Sequence, residues 1–139
     1  MAFLPLNYED GKTVLLQVAA TTFTKGDACV HDGSGQMVKA TAGNGAGIMY
    51  VIAETVATTA TAGDLHAFWD ANPSVSFVAD TTANPTQAQM GTFCDLVTNA
   101  GTLDTSASTD DLFFLERVQG ALADKKVIGH FTPYAPAVE

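Results

Sequence analysis

The sequence predicts an all-β protein, a small β-barrel or β-sandwich with extended N- and C-terminal arms and one very short helix. Three observations predict it. Alanine and threonine supply 40 of the 139 residues, while threonine, valine and aromatic side chains dominate the apolar runs and long Leu/Glu/Lys stretches are missing. Turn signals recur at short intervals and bound about eight or nine segments of strand length. With 47% hydrophobic and 15% charged residues the chain suits one compact domain, and a barrel or sandwich best disposes of so many strand edges. The expected organisation is one domain over 1–139, with an arm at 1–12, a β core at 13–131 and a tail at 132–139.

Residues 13–18 form the first strand candidate, entered through the turn-like Glu9-Asp10-Gly11. Segments 28–32 and 36–41 flank Asp32-Gly33-Ser34-Gly35, a turn-prone sequence that closes a hairpin, and Cys29 and His31 share a face because alternate strand residues point the same way. The run 47–53 is apolar on both parities, which suits a central strand covered on both sides or one lining a closed barrel. The Thr/Ala-rich stretch 55–62 is too polar and β-branched for a helix, and Gly63-Asp64 then turns into a strand at 65–69. Asp70-Ala71-Asn72-Pro73 breaks that strand, after which Val75, Phe77 and Ala79 alternate inward against Ser76 and Asp80. Asn84 before Pro85, followed by helix-tolerant residues and Gly91, predicts a helix of a turn or two over 84–91. Residues 93–98 resume β structure, Asn99-Ala100-Gly101 turns, and 112–118 with 127–131 form a last hairpin across 120–126. Two prolines, Pro133 and Pro136, restrict the tail, which is expected to run extended over a surface. No internal repeat is visible in the sequence.

Fifteen acidic against six basic residues give a formal charge of −9, which argues against nucleic acid or anionic lipid as a partner, since phosphate binding needs a cationic footprint. From Ala40 through Glu116 there is no Lys or Arg, while nine carboxylates fall between Glu54 and Glu116. Such a stretch is either a solvated acidic face or one turned outward from an assembly whose members must not stick to further copies. No stretch of about 18 uninterrupted apolar residues crosses a membrane, and the first residues lack the pattern of a signal peptide, so a soluble, unexported chain is expected. Cys29 and Cys94 are expected as two buried thiols rather than a disulfide.

No constellation for catalysis emerges. G-x-S-x-G, H-E-x-x-H, phosphate-loop and dinucleotide fingerprints are absent, and His31, His66 and His130 are dispersed. Asp104 and Asp110 are the carboxylates that an acid/base pair on a sheet surface would use. A zinc site from Cys29, His31, His66 and Cys94 lacks the paired spacings that make such sites specific. The segment 104–111 alternates oxygen-bearing side chains as calcium loops do, but lacks their sixth-position Gly and has Leu115 where the bidentate Glu would stand. Neither a metal nor a cofactor is expected. Tyr50, Phe68 and Trp69 are the aromatic residues a carbohydrate-stacking platform would use, against the alternative that they are core. The arm carries Phe3, Leu4, Leu6 and Tyr8 ahead of the first strand, and the tail carries Tyr134; arms of this kind either finish the protein's own core or lie on a neighbour.

The succession Phe23-Thr24-Lys25-Gly26-Asp27-Ala28-Cys29-Val30, Asp32-Gly33, the stretch 36–41, Gly47-Ile48 and Gly63-Asp64 resembles small virion proteins of tailed bacteriophages. The second half is similar to phage head proteins in its Gly63-Asp64, Phe68-Trp69, Pro73, Phe77 order, followed by Gly91, Asp95-Leu96, the Thr/Ser-rich turn 105–109 and Phe113. The resemblance spans about 23–131 and implies a capsid decoration, or cement, protein. Such a protein is β-rich, sits on the exterior of a phage head at symmetry-related positions and clamps adjacent subunits of the major capsid protein, with no catalytic residues; this chain is expected there as a homo-oligomer, trimer or dimer. The contact residues expected are Phe3, Leu4, Tyr8 and Tyr134 of the arms, with Lys25, Lys39 and Lys126 turned toward the shell. The alternatives are another virion module, such as a head fibre, tail or baseplate component, and a carbohydrate-binding module.

Overall fold

Eleven short strands carry the chain in this computed structural model, which describes residues 3–6, 12–41, 48, 50–71, 75–97, 100–108 and 111–132. They are β1 (Leu4–Pro5), β2 (Thr13–Gln17), β3 (Ala28–His31), β4 (Met37–Lys39), β5 (Tyr50–Ile52), β6 (Leu65–Asp70), β7 (Phe77–Thr81), β8 (Phe93–Leu96), β9 (Thr102–Asp104), β10 (Phe113–Val118) and β11 (Lys126–Phe131). The protein is almost entirely β, as its composition predicts, and its only helical pieces among the described residues are two single 3-10 turns, Gln87–Gln89 and Leu122–Asp124. The helix expected over 84–91 shrinks to the first of these. Pro85 stays outside it, the Thr86 amide is taken by the Gln89 side chain at 2.9 Å, and Gly91 at φ +85 turns the chain away after one turn.

The strands divide into two sheets. The C-terminal sheet runs β1-β7-β11-β10-β8-β9, and β9 pairs in parallel with β7, so β7, β11, β10, β8 and β9 form a closed five-stranded barrel. The N-terminal sheet runs β2-β6-β5-β3-β4, and its ends meet at one parallel bridge between Val18 and Met37. The two orders are the same order. Each follows the chain as first, fifth, fourth, second, third strand, antiparallel throughout, with the parallel contact returning from third to first.

The tie bonds repeat as well. The Gly26 amide donates to Ile52 O (2.8 Å) and the Ile52 amide to Asp27 O (3.0 Å); Gly91 donates to Leu115 O (2.7 Å) and Leu115 to Thr92 O (2.9 Å). Both glycines hold positive φ, +94 and +85, at the turn before the second strand, and each is followed three residues later by a fully buried cysteine, Cys29 or Cys94. The closing bonds match too: Ala19 to Met37 O at 3.0 Å and Thr82 to Leu103 O at 3.1 Å. A repeat absent from the residue pattern is therefore present in the topology, because backbone pairing and turns define it while most side chains at equivalent positions differ.

Side-chain alternation places the core on both sides of the N-terminal sheet. Val18, Phe23, Cys29, Met37, Ile52, Ala60 and Phe68 form the cluster on one side. The opposite face contributes Ala28, Val51 and Trp69 to a larger cluster with Phe77, Cys94, Leu103, Phe113, Leu115 and Phe131 of the barrel. Val51 and Ile52 thus enter different clusters, the outcome predicted for an apolar run on both parities. The hairpin at Asp32 forms as expected, with Asp32 Oδ1 accepting from the amides of Ser34 (2.7 Å) and Gln36 (3.2 Å).

Two strands were not legible in advance. β9 lies between the turn expected at 99–101 and the acidic segment 104–111, where no strand was expected, and β1 lies within the arm, where Leu4 pairs with Val78 and Pro5 with Phe77. Proline is tolerated there because β1 is an edge strand. Thr132 is tied to Leu112 O through both its amide and its hydroxyl, and the tail beyond it falls outside the described residues.

Candidate functional site

Of the contact residues that the sequence suggested, the described arm residues, Phe3 and Leu4, turn inward. Phe3 is fully buried, its ring 4.8 Å from Phe131 and 5.5 Å from Phe113, and its amide donates to Gly26 O at 2.9 Å. It therefore fastens the barrel to the N-terminal sheet and is not a surface group. Leu4 packs half-buried against the same cluster. Tyr8 and Tyr134 lie outside the described residues. Lys25 is exposed, its Nζ 5.7 Å from the Trp69 ring centroid and its amide bonded to Thr55 Oγ1. Lys39 reaches Thr22 Oγ1 at 3.3 Å on the same sheet, whereas Lys126 lies on β11 with its ammonium held by Asp80.

The groups that could do chemistry are dispersed over the two sheets. His66 Nδ1 lies 3.2 Å from Glu54 Oε1, and Glu54 Oε2 accepts from the Ala67 amide at 2.8 Å; this amide and the imidazole hold the Glu54 carboxyl below its ordinary range. On the barrel's outer surface Glu116 Oε2 accepts from Ser76 Oγ (3.3 Å) and contacts His130 Nδ1 (2.9 Å), while the His130 ring stacks on Phe114 at 5.2 Å. The Ser76 hydroxyl donates to the carboxylate rather than to the imidazole, so the trio lacks the serine–histidine bond that activates a nucleophile. Cys29 and Cys94 are free thiols in separate core clusters, and burial pushes Cys94 up to about 12 and Cys29 higher still. The four residues weighed for zinc are not brought together. Among the described residues no group of three or more His, Cys, Asp or Glu side chains is placed to hold a metal.

The aromatic platform is also taken apart by strand alternation. Phe68 points into one cluster and Trp69 into the other, and both are buried. In the segment weighed for calcium, Asp104 Oδ1 is occupied by the Ser106 amide (3.1 Å) and hydroxyl (2.7 Å), and Asp95 Oδ1 accepts from the Asp111 amide at 2.8 Å. Thr109 and Asp110 lie outside the described residues. Beside this turn an open groove of about 500 Å³ is lined by Thr92, Phe93, Thr105, Ser106, Ser108 and Asp111.

The surface that sequence reasoning missed is on β2 and β6. Val14, Leu15 and Leu65 are 46%, 64% and 56% exposed, the side chains of β2 carry no charge, and among the described residues no strand pairs along its outer edge. The available signal was three consecutive apolar residues, Val14-Leu15-Leu16, in a strand whose neighbouring segment offers no second apolar layer. No protein-family model matches the chain, and no curated protein matches it.

Proposed function

We propose that this chain is a structural protein of a tailed-bacteriophage virion, seated on the capsid exterior as a dimer or trimer and bridging neighbouring subunits of the major shell protein. The observation that supports this reading is the exposed apolar side chains Val14 and Leu15 of the uncharged strand β2, with Leu65 of β6 beside them, on a chain whose formal charge is −9. A protein that binds only assembled shell stabilises that state by linkage, and symmetric copies add their increments. The acidic remainder of the surface keeps loaded particles apart.

The test is quantitative peptide mass spectrometry on purified particles from the source, read as the ratio of this chain to the major shell protein. A high copy number in a ratio fixed by shell symmetry is the expected result. A handful of copies per particle moves the chain to a fibre, tail or baseplate, and its absence from particles overturns the reading.

A further inference from the structure

The internal repeat makes one edge of the molecule informative. Matching the closing bonds sets Ala19 equivalent to Thr82, and counting back along each strand sets Val14 and Leu15 equivalent to Phe77 and Val78. In the barrel those two residues are where β1 adds, with Pro5 opposite Phe77, Leu4 opposite Val78 and the Leu6 amide donating to Ser76 O at 2.8 Å. In the N-terminal sheet the same place on β2 meets no strand among the described residues.

The geometry of β2 suits addition. The Val18 amide bonds inward to Asp64 O and the Ala19 amide outward to Met37 O, so by alternation Thr13, Leu15 and Gln17 direct their backbone groups to the open edge, as Ser76 and Val78 do on β7. Other edges are blunted: β4 ends in Lys39, and β1 has two residues, one a proline. β2 offers Thr-Val-Leu-Leu-Gln, five residues with neither a charge nor a proline among them.

We propose that the edge of β2 at Val14 and Leu15 is a docking site for an extended, uncharged, apolar arm of the shell subunit, which adds antiparallel as β1 adds to β7. The identity of the partner rests on the function proposed above; the site rests on the repeat. The chain's own arm is committed, since Phe3 is buried and β1 is paired to β7. A second copy would bring only an arm committed in the same way.

The probe is a synthetic peptide with the sequence of residues 2–7, which contains the Leu4–Leu6 segment that fills the equivalent edge, added at millimolar concentration to the full-length labelled protein. Amide exchange followed by NMR should slow at Leu15 by roughly tenfold or more, with β11 amides unchanged. Leu15→Lys should abolish that protection while leaving the fold intact, because the side chain is exposed and its amide directed to the open edge. Unchanged exchange at Leu15, or protection that survives Leu15→Lys, overturns the site. Sedimentation of the peptide-free protein as a dimer that Leu15→Lys dissociates overturns the occupant. Particle copy number separates the two claims: a chain absent from particles whose β2 edge still binds the peptide refutes the proposed function and leaves the docking site standing.

Discussion

The two sheets share one strand order and one set of tie bonds, yet they bury their first strands to opposite degrees. Phe77 of β7 is fully buried beneath Phe131 and next to the arm, while its equivalent Val14 of β2 is nearly half exposed. The barrel closes through two residue pairs, Asp80 with Thr102 and Thr81 with Leu103, and then gains β1; among the described residues the N-terminal sheet closes through the single pair Val18 and Met37. Turns and backbone pairing thus fix topology, and the depth of a strand is decided separately by what covers it. Covering is supplied to the barrel by a segment from the far end of the chain, and among the described residues nothing equivalent covers β2.

The change expected to break the comparison most severely is Gly129→Ala. A Cβ there would stand 2.0 Å from Phe114 O and 2.5 Å from Phe113 Cε2, and neither a backbone oxygen nor a packed ring can move aside cheaply. A loss of about 4 kcal/mol or more is expected, read from urea denaturation. The equivalent position in the other sheet, opposite Val14 as Gly129 is opposite Phe77, is Phe68, so the two interiors are filled from different strands. Next in size is the paired test of the first strands. Phe77→Ala should cost about 3–5 kcal/mol through the cavity it leaves, whereas Val14→Ala should cost about 0.5 kcal/mol or less because nearly half of that side chain already faces water. Equal losses would mean that Val14 is covered in solution.

Much of the strand layout was readable because the physical signal was local. The Asp32 hairpin carries its own Asx turn, and Val75, Phe77 and Ala79 alternate cleanly. The thin helix was misplaced because Asn84 and Pro85 imitate a helix start, yet the hydrogen bonds begin at Thr86. β1 and β9 were missed because strands of two and three residues have no period to detect. The site was less legible than the fold. A single chain's apolar arm looks alike whether it completes its own core or a neighbour's, so nothing in Met1-Ala2-Phe3-Leu4 revealed that Phe3 packs at home. The repeat stayed hidden because its markers are sparse: a left-handed glycine and, three residues on, a buried cysteine.

The smallest predicted effects test whether electrostatics differs between the repeats as packing does. Asp27 follows Gly26 where Thr92 follows Gly91, so only the N-terminal sheet has an ionisable group at that turn. Burial pushes the Asp27 carboxyl up, against the Thr24 amide and the Lys39 ammonium, which pull it down. A carboxyl raised on folding costs stability once ionised: its contribution is fully present below the unfolded value near 3.8 and is lost as pH rises through the folded one. Asp27→Asn keeps an acceptor for Thr24 and removes the charge, so at pH 7 it should raise the denaturation midpoint, with the gain vanishing toward pH 3. Glu54 has the opposite sign. The Ala67 amide and His66 lower its folded value below 4.5, so it stabilises at neutral pH and that contribution is lost as pH falls through the folded value. Glu54→Gln should therefore lower the midpoint at pH 7, by less than Asp27→Asn raises it because the Glu54 carboxylate is far more exposed than the buried Asp27, and the deficit should close in acid. Midpoints for both variants across pH 3–7 that move in the same direction would show that the Asp27 turn is hydrated like its threonine counterpart, and the two repeats would then differ in packing alone.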